Sequence, residues 1–217
     1  MYAVKRWAVL PILALVVTLS GCATSTMQLS PQELQTIRIE RVEVIYKPDA
    51  FIQWEKVALP YVEKHSLRSK KPWKQVMLED EEAAKNEYQT IINSPEGKRY
   101  MQSVLTAELK RRVGAAIVPK FQGTRPVVLE INVFGLSIPG PAQRVIWGGS
   151  PMLGAVTRLK DASTGEELAK LDKAAAGAAG NGLLGVLIDQ AFDDLEDRVF
   201  DAYIRNLSQW LHTNNRT

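Results

Sequence analysis

The stretch PVVLEINVFGL, residues 126–136, decides the fold, because it is a long strand pattern that lies between two helical patterns. The alternating apolar residues, which predict one buried face of a strand, are Val127, Leu129, Ile131 and Val133. The opposite face mixes apolar Val128 and Phe134 with polar Glu130 and Asn132, so we expect it to be partly covered.

The helix before this strand begins with a clear start signal, Ser94-Pro95-Glu96. Serine is a good N-cap, proline suits the first helical position, and glutamate in the first turn complements the helix dipole. Apolar residues then recur at helical spacing and form one stripe: Met101, Val104, Leu105, Leu109, Val113, Ala116 and Ile117. The cations at residues 110–112 are interpreted as helix-end charges, in preference to an anion site.

The helix after the strand is predicted from Leu183 to His212. Its apolar stripe predicts a buried face and comprises Leu184, Leu187, Ile188, Ala191, Leu195, Val199, Ala202 and Trp210. A stripe of this width is uncommon on the exposed surface of a monomer. We therefore expect this helix to pack on the sheet.

Four further strands are predicted, over residues 36–46, 143–147, 153–159 and 166–172. The alternation in the first of them slips between Ile39 and Val42, which predicts a β-bulge. Together the elements follow the order β-α-β-β-β-β-α. This order predicts an α+β fold, in which two amphipathic helices pack on a small, mostly antiparallel sheet.

Residues 47–94 are predicted to form a charged insert that contains scattered aromatic side chains. The acids at 79–82 are expected to start a helix that runs through Ile92. Within the insert, one hypothesis is contact with an anionic surface, and its residues are Lys70, Lys71, Trp73 and Lys74. The alternative is a solvated loop whose charges pair with nearby acids, and this interpretation is favoured because charge runs usually form solvated faces.

The first 21 residues have the organisation of a secretory signal peptide. Lys5 and Arg6 supply the positive start, Trp7 to Leu19 is an uncharged apolar run, and small residues follow. The run is shorter than the about 20 apolar residues that cross a bilayer comfortably. Cys22 is the only cysteine of the chain, so an intramolecular disulfide is excluded.

The sequence LSGC, residues 19–22, closely resembles the bacterial lipobox. That resemblance implies that Cys22 receives a diacylglycerol thioether and becomes the mature N-terminus. It also implies sorting to the outer membrane, with the domain on the periplasmic face, because Ala23 stands where aspartate would retain the protein in the inner membrane. A membrane held through a lipid anchor is therefore one expected partner.

Removal of the leader takes 21 of the 217 residues and leaves 196, which suits a single domain. Residues 22–35 are interpreted as the lipidated cysteine and a tether, although Pro31 could also begin a short helical turn, and residues 36–217 as one periplasmic domain. The full chain has 27 Lys and Arg against 24 Asp and Glu, and loss of Lys5 and Arg6 leaves 25 against 24. A nearly neutral domain gives no support for a nucleic-acid partner.

Residues 180–185 contain the G-x-G-x-x-G spacing of a dinucleotide-binding turn. Such a turn needs a return strand and an acid about 20 residues further on, to bind ribose. Here the long final helix follows, and Arg205 occupies that position, so no dinucleotide is expected. A Gly/Ala-rich connector is favoured, and contact of the uncharged residues 174–188 with a bilayer remains an alternative.

Few residues in the sequence suggest catalysis or metal binding. His65 and His212 are the only histidines, and the chain has no nucleophile elbow, zinc-protease helix or phosphate-binding loop. The acids at residues 193–197 are interpreted as a solvated face, in preference to a cation site. We therefore predict a non-enzymatic protein that uses no cofactor and no metal.

The leader, the strand RPVVLEINVFGL (125–136) and the run GGSPMLGAVTRLKDASTGEELA (148–169) resemble uncharacterised small bacterial outer-membrane lipoproteins. The layout is also similar to that of the curli-secretion lipoprotein and penicillin-binding-protein activator group. The resemblance implies a domain that binds or scaffolds a cell-envelope component, through an envelope protein or through self-association. The alternative is an oligomeric secretion or pore accessory that uses residues 174–188.

Overall fold

The computed structural model describes residues 25–67, 73–140, 151–176 and 195–213. Within these ranges the strands are β1 (Ser25–Met27), β2 (Ile37–Trp54), β3 (Arg125–Ile138), β4 (Met152–Asp161) and β5 (Glu167–Ala176). The helices are α1 (Pro31–Thr36), α2 (Glu55–His65), α3 (Trp73–Glu79), α4 (Glu81–Asn93), α5 (Pro95–Ala116) and α6 (Leu195–Thr213), and a 3₁₀ turn spans Val118–Lys120.

The strands form one mixed sheet in the order β1-β5-β4-β3-β2. The pairs β1–β5, β5–β4 and β4–β3 are antiparallel, whereas β2 and β3 are parallel. The parallel pair needs a long crossover, which α2 to α5 provide. The predicted α+β class and the mostly antiparallel sheet are therefore confirmed.

Helix α5 begins and packs as its sequence predicts. The Gly97 amide donates a hydrogen bond of 3.0 Å to Oγ of Ser94, so the cap is in place. The buried residues of the stripe recur every four positions and are Met101, Leu105, Leu109 and Val113. They share one core with the buried face of β3, which confirms the predicted packing of this helix against the sheet.

Helix α6 contributes the largest fully buried side chains of the described chain, Tyr203 and Phe200. The Tyr203 hydroxyl lies 2.7 Å from Oγ1 of Thr157 on β4, and burial raises the pKa of this hydroxyl above its usual range. Leu195, predicted to lie mid-stripe, is only partly buried, and it is the first described residue of this helix. The predicted segment before Leu195 lies outside the described residues.

Strand β2 differs from its prediction in length. The bulge predicted near Ile39 is confirmed by a register shift between Ile39 and Arg41, but the strand continues past residue 46 as far as Trp54. A second irregularity, between Tyr46 and Phe51, takes up the four intervening residues that include Pro48. Proline lacks an amide donor, but it is tolerated in an edge strand, so the strand resumes beyond it.

The predicted insert at 47–94 therefore needs correction. Its first eight residues belong to β2, and the described part of the remainder contains α2, α3 and α4 instead of a solvated loop. The helix predicted from the acidic run is confirmed as α4, where the Ala83 amide donates to Oδ1 of Asp80 over 3.0 Å. These helices form because Ala58, Val62 and Ala84 are buried in the common core.

The tether predicted for residues 22–35 also needs correction. Ser25–Met27 pairs with β5, and Pro31–Thr36 forms α1, as the alternative at Pro31 anticipated. Ser30 and Glu33 form a capping box, with the Ser30 amide donating to Glu33 over 2.8 Å. Leu29 and Leu34 are buried, so this segment joins the domain core.

The turn between β4 and β5 is organised by Asp161. Its carboxylate accepts hydrogen bonds from the side chain and amide of Ser163, and Arg125 donates to it over 3.0 Å. These bonds hold the pKa of Asp161 well below its ordinary range. Gly165 completes the turn with a φ of 75°, in the left-handed region that glycine adopts readily. The strand predicted over residues 143–147 lies outside the described residues.

Candidate functional site

A groove of about 450 Å³ lies between α2, α5 and the start of α6. Its apolar lining residues, which we call the floor, are Val57, Pro60, Val104 and Ala107. Its remaining lining residues are aromatic or charged: Trp54, Tyr100, Lys56, Glu108, Arg111 and Glu196. The size falls in the range of ligand-binding clefts, and the apolar floor favours an apolar occupant.

The aromatic side chains of the groove are held in place by packing. Trp54, the last residue of β2, is buried, and its indole Nε1 donates to Oε2 of Glu196 over 3.2 Å. Tyr100 stacks on Tyr61 of α2 with ring centroids 4.4 Å apart. Because the end of a strand and two helices fix these rings, the groove is preformed.

The charged side chains that line the groove pair with one another. Lys56 Nζ lies 3.5 Å from Glu196, and Arg111 lies 2.6 Å from Glu108. The hydrogen bond from Arg111, supported by Arg112 and opposed by burial, lowers the pKa of Glu108. The groove therefore presents an apolar floor between balanced charges, which suits a polypeptide surface.

Arg112 joins α5 to α6 behind the groove. Its guanidinium, whose side chain is 13% exposed, pairs with Glu108 on its own helix and with Asp197 and Asp201 on α6. The same group lies over the ring of Phe200, 4.9 Å from its centroid. Arg112 was predicted to be a helix-end charge, and its partners on α6 were missed, because they lie 85 and 89 residues away in sequence.

The acids at the start of α6 are likewise engaged. They were interpreted as a solvated face. The Asp197 side chain is 59% exposed, in agreement, and also pairs with Arg112, whereas the Glu196 side chain is 23% exposed and bonds to Trp54 and Lys56. Asp193 and Asp194 lie outside the described residues. The described acids of this run therefore link the start of α6 to α2, to α5 and to the end of β2.

Of the four residues predicted to contact an anionic surface, the structure describes the side chain of Trp73. Lys70 and Lys71 lie outside the described residues, and for Lys74 only the backbone, within α3, is described. Trp73 is 6% exposed and packs against Tyr88, with ring centroids 6.3 Å apart. The prediction is corrected for Trp73, because a side chain in the core cannot reach a headgroup. Cys22 also lies outside the described ranges.

The two histidines occupy different ends of the domain. His65 stacks on Tyr61 and its Nδ1 lies 2.7 Å from the Tyr61 carbonyl, whereas His212 lies 2.7 Å from the Ser208 carbonyl. In the part of the chain that the structure describes, no three potential ligands come together in a metal-binding group. Among the described helices, none is long and apolar enough to cross a membrane.

Comparison with known proteins gives no relative from which a function can be transferred. No family model, no curated protein and no solved structure matches this chain. The function is therefore inferred from the residues of this chain alone.

Proposed function

We propose that this protein is a lipid-anchored domain on the periplasmic face of the bacterial outer membrane, where it binds or scaffolds a cell-envelope component without catalysis. The observation that carries the proposal is the leader that ends in LSGC, with Cys22 three residues before β1. The resemblance of these four residues to a lipobox supports acylation of Cys22.

The short distance between Cys22 and the sheet supports an anchoring role. Three residues span at most about 10 Å, so an acylated Cys22 would hold the domain close to the bilayer. Two or three acyl chains anchor a protein firmly, whereas one chain binds only marginally. A domain held in this way meets partners that lie at the membrane surface.

Replacement of Cys22 with serine should abolish labelling by a clickable palmitate and release the protein from the outer-membrane fraction. The hydroxyl cannot be processed as the thiol is, so the variant would lack the acyl chains that provide the anchor. The measurement is palmitate labelling with fractionation of envelopes, and Ser20→Ala serves as a control that keeps Cys22. Labelling or membrane association that persists in Cys22→Ser would contradict the proposal.

We infer from the groove that the molecular role of this domain is to bind a polypeptide. Its apolar floor and fixed aromatic rings offer buried contact area, and its charged side chains are satisfied before a partner arrives. An apolar segment of an envelope protein would be matched by such a surface. This part of the proposal is independent of the anchor.

A photo-crosslinking residue placed at Ala107 should give a discrete crosslinked product in intact cells. Ala107 is exposed and lines the groove, whereas Ala115 is exposed on the same helix but outside the groove. The two positions are about 12 Å apart along the helix, so Ala115 is a matched control. The same products at both positions, or none at Ala107, would contradict a binding role for the groove.

A further inference from the structure

The sheet has a second face, opposite the face that packs against α5 and α6. Across it, one row runs through Glu43, Glu130, Arg158 and Lys170, and the next row runs through Ile45, Asn132, Val156 and Asp172. The helices of the described ranges pack on the other side, where the buried stripe of β3 lies. We call this second side the open face.

One half of the open face is covered by charges that pair with one another. Glu130 accepts from Lys160 over 2.5 Å and from Arg158 over 3.4 Å, and Arg158 also bonds to Glu167 over 2.9 Å. These long side chains lie over the sheet and bury Val128 and the Glu130 carboxylate between them. The charged groups of this half pair with one another, so this half offers little binding surface to a further partner.

The other half of the open face carries exposed apolar side chains. Ile45 and Phe51 are 40% and 43% exposed, and Lys47 Nζ lies 5.4 Å from the ring centroid of Phe134. The ring of Phe51 lies on Gly135, and the ring of Phe134 lies on Gly154, where a Cβ atom would clash with them. We call the surface formed by Ile45, Lys47, Phe51 and Phe134 the aromatic patch.

The aromatic patch lies toward one end of the sheet, where β2, β3 and β5 finish. The register places Phe51 level with Gly135, Gly154 and Ala174. Strand β1 is antiparallel to β5, with Ser25 opposite Leu171, so β1 starts on the side of this end, at the edge of the sheet opposite β2. Cys22 is three residues before Ser25 and therefore within about 10 Å of it.

We propose that this end of the sheet faces the phospholipid bilayer and that the aromatic patch rests in the headgroup region. The inference deepens the proposed function and rests on the acylation of Cys22. The exposed Phe51 ring and Ile45 side chain beside Lys47 suit a membrane interface, because apolar side chains enter the boundary of the acyl chains while the ammonium group stays among anionic headgroups. An anchor within about 10 Å of β1, at the edge of the sheet opposite β2, restricts how the domain turns and allows this end to lie nearest the lipid.

The orientation is tested with single-cysteine labelling of the full-length lipidated protein. Acylation occupies Cys22, the only cysteine, so Phe51→Cys or Ile45→Cys supplies one free thiol for an environment-sensitive fluorophore. Glu166→Cys is the matched control, in the exposed turn beside Asp161 at the far end of β4. Gly154, level with Phe51, is about 25 Å from Asp161 along β4, so lipid at one end does not reach the other.

The labelled proteins are reconstituted in vesicles of phosphatidylethanolamine and phosphatidylglycerol, with and without doxyl-labelled lipid. The probes at residues 51 and 45 should shift to shorter wavelength on reconstitution and lose emission to the doxyl lipid, whereas the probe at residue 166 should do neither. Two sites are used so that the result does not depend on one variant folding.

The alternative outcomes overturn the orientation in different ways. If the protein floats with the vesicles but the probes at 51 and 45 remain in water, the anchor stands and the orientation is wrong. A wavelength shift without quenching by doxyl lipid would assign the patch to contact with a second copy or another protein. If the wild-type protein does not float with vesicles, the proposed anchor fails together with the orientation.

Discussion

A chain of residues 23–176, which ends before α6, should be insoluble or should unfold without a cooperative transition. Helix α6 buries four apolar side chains completely, at Val199, Phe200, Leu207 and Leu211. Burial of each contributes about 1.5–3 kcal/mol, so their joint loss is of the same order as the about 5–15 kcal/mol that stabilises a typical domain. The truncation would also expose the core residues of β3, β4 and β5 that α6 contacts.

Circular dichroism during urea unfolding provides the measurement for this truncation. The control is a chain of residues 23–213, which ends at the last residue of α6 and should unfold with the same midpoint as residues 23–217. A fragment that ends at Ala176 and still unfolds cooperatively would show that α6 is an appendage. The partner-binding surface would then be sought on the apolar side of α6 itself.

The elements that the sequence predicts well are those in which one periodic pattern determines burial. Strand β3 alternates from Val127 to Val133, before its irregularity at Gly135, and α5 has both a start signal and a continuous stripe, so each is found close to its predicted bounds. In these elements local propensity and tertiary packing agree. The α+β class follows from the order of such elements.

The elements that the sequence misses depend on contacts between distant residues. Strand β2 continues past Pro48 because residues 51–54 pair with β3, which a local pattern does not reveal. Trp73 lies among lysines in the sequence, yet its ring is buried against Tyr88. Burial of a large aromatic side chain outweighs the polarity of its neighbours in the chain, because it removes a large apolar surface from contact with water.

The candidate site could not be assembled from the sequence for the same reason. Trp54 and Glu196 bind each other across 142 residues, and Arg112 reaches α6 across 85 and 89 residues. Each of these residues has an ordinary local context: the end of a strand, the start of a helix and the last turns of a helix. The leader and the acylation of Cys22, in contrast, are predicted from consecutive residues and stay predictions.

Replacement of Phe200 with alanine should destabilise the domain by about 3–5 kcal/mol, the usual cost of truncating a fully buried phenylalanine. Phe200 is 0% exposed and its ring centroid lies 5.5 Å from that of Trp54. Its loss leaves a cavity beneath Trp54 and removes the ring beneath the Arg112 guanidinium. The free energy of unfolding, measured in urea at neutral pH, should fall with an unchanged slope.

Arg205→Ala is the matched control for Phe200→Ala, because Arg205 is exposed on the same helix, and an exposed substitution usually changes stability by no more than about 0.5 kcal/mol. Equal losses for the two variants would contradict the packing of Phe200. Because Phe200 supports both Trp54 and Arg112, its removal should also reduce crosslinking at Ala107 under conditions in which the variant remains folded. Arg205→Ala should leave that crosslink unchanged, so the pair of variants separates loss of the groove from a general effect of changing α6.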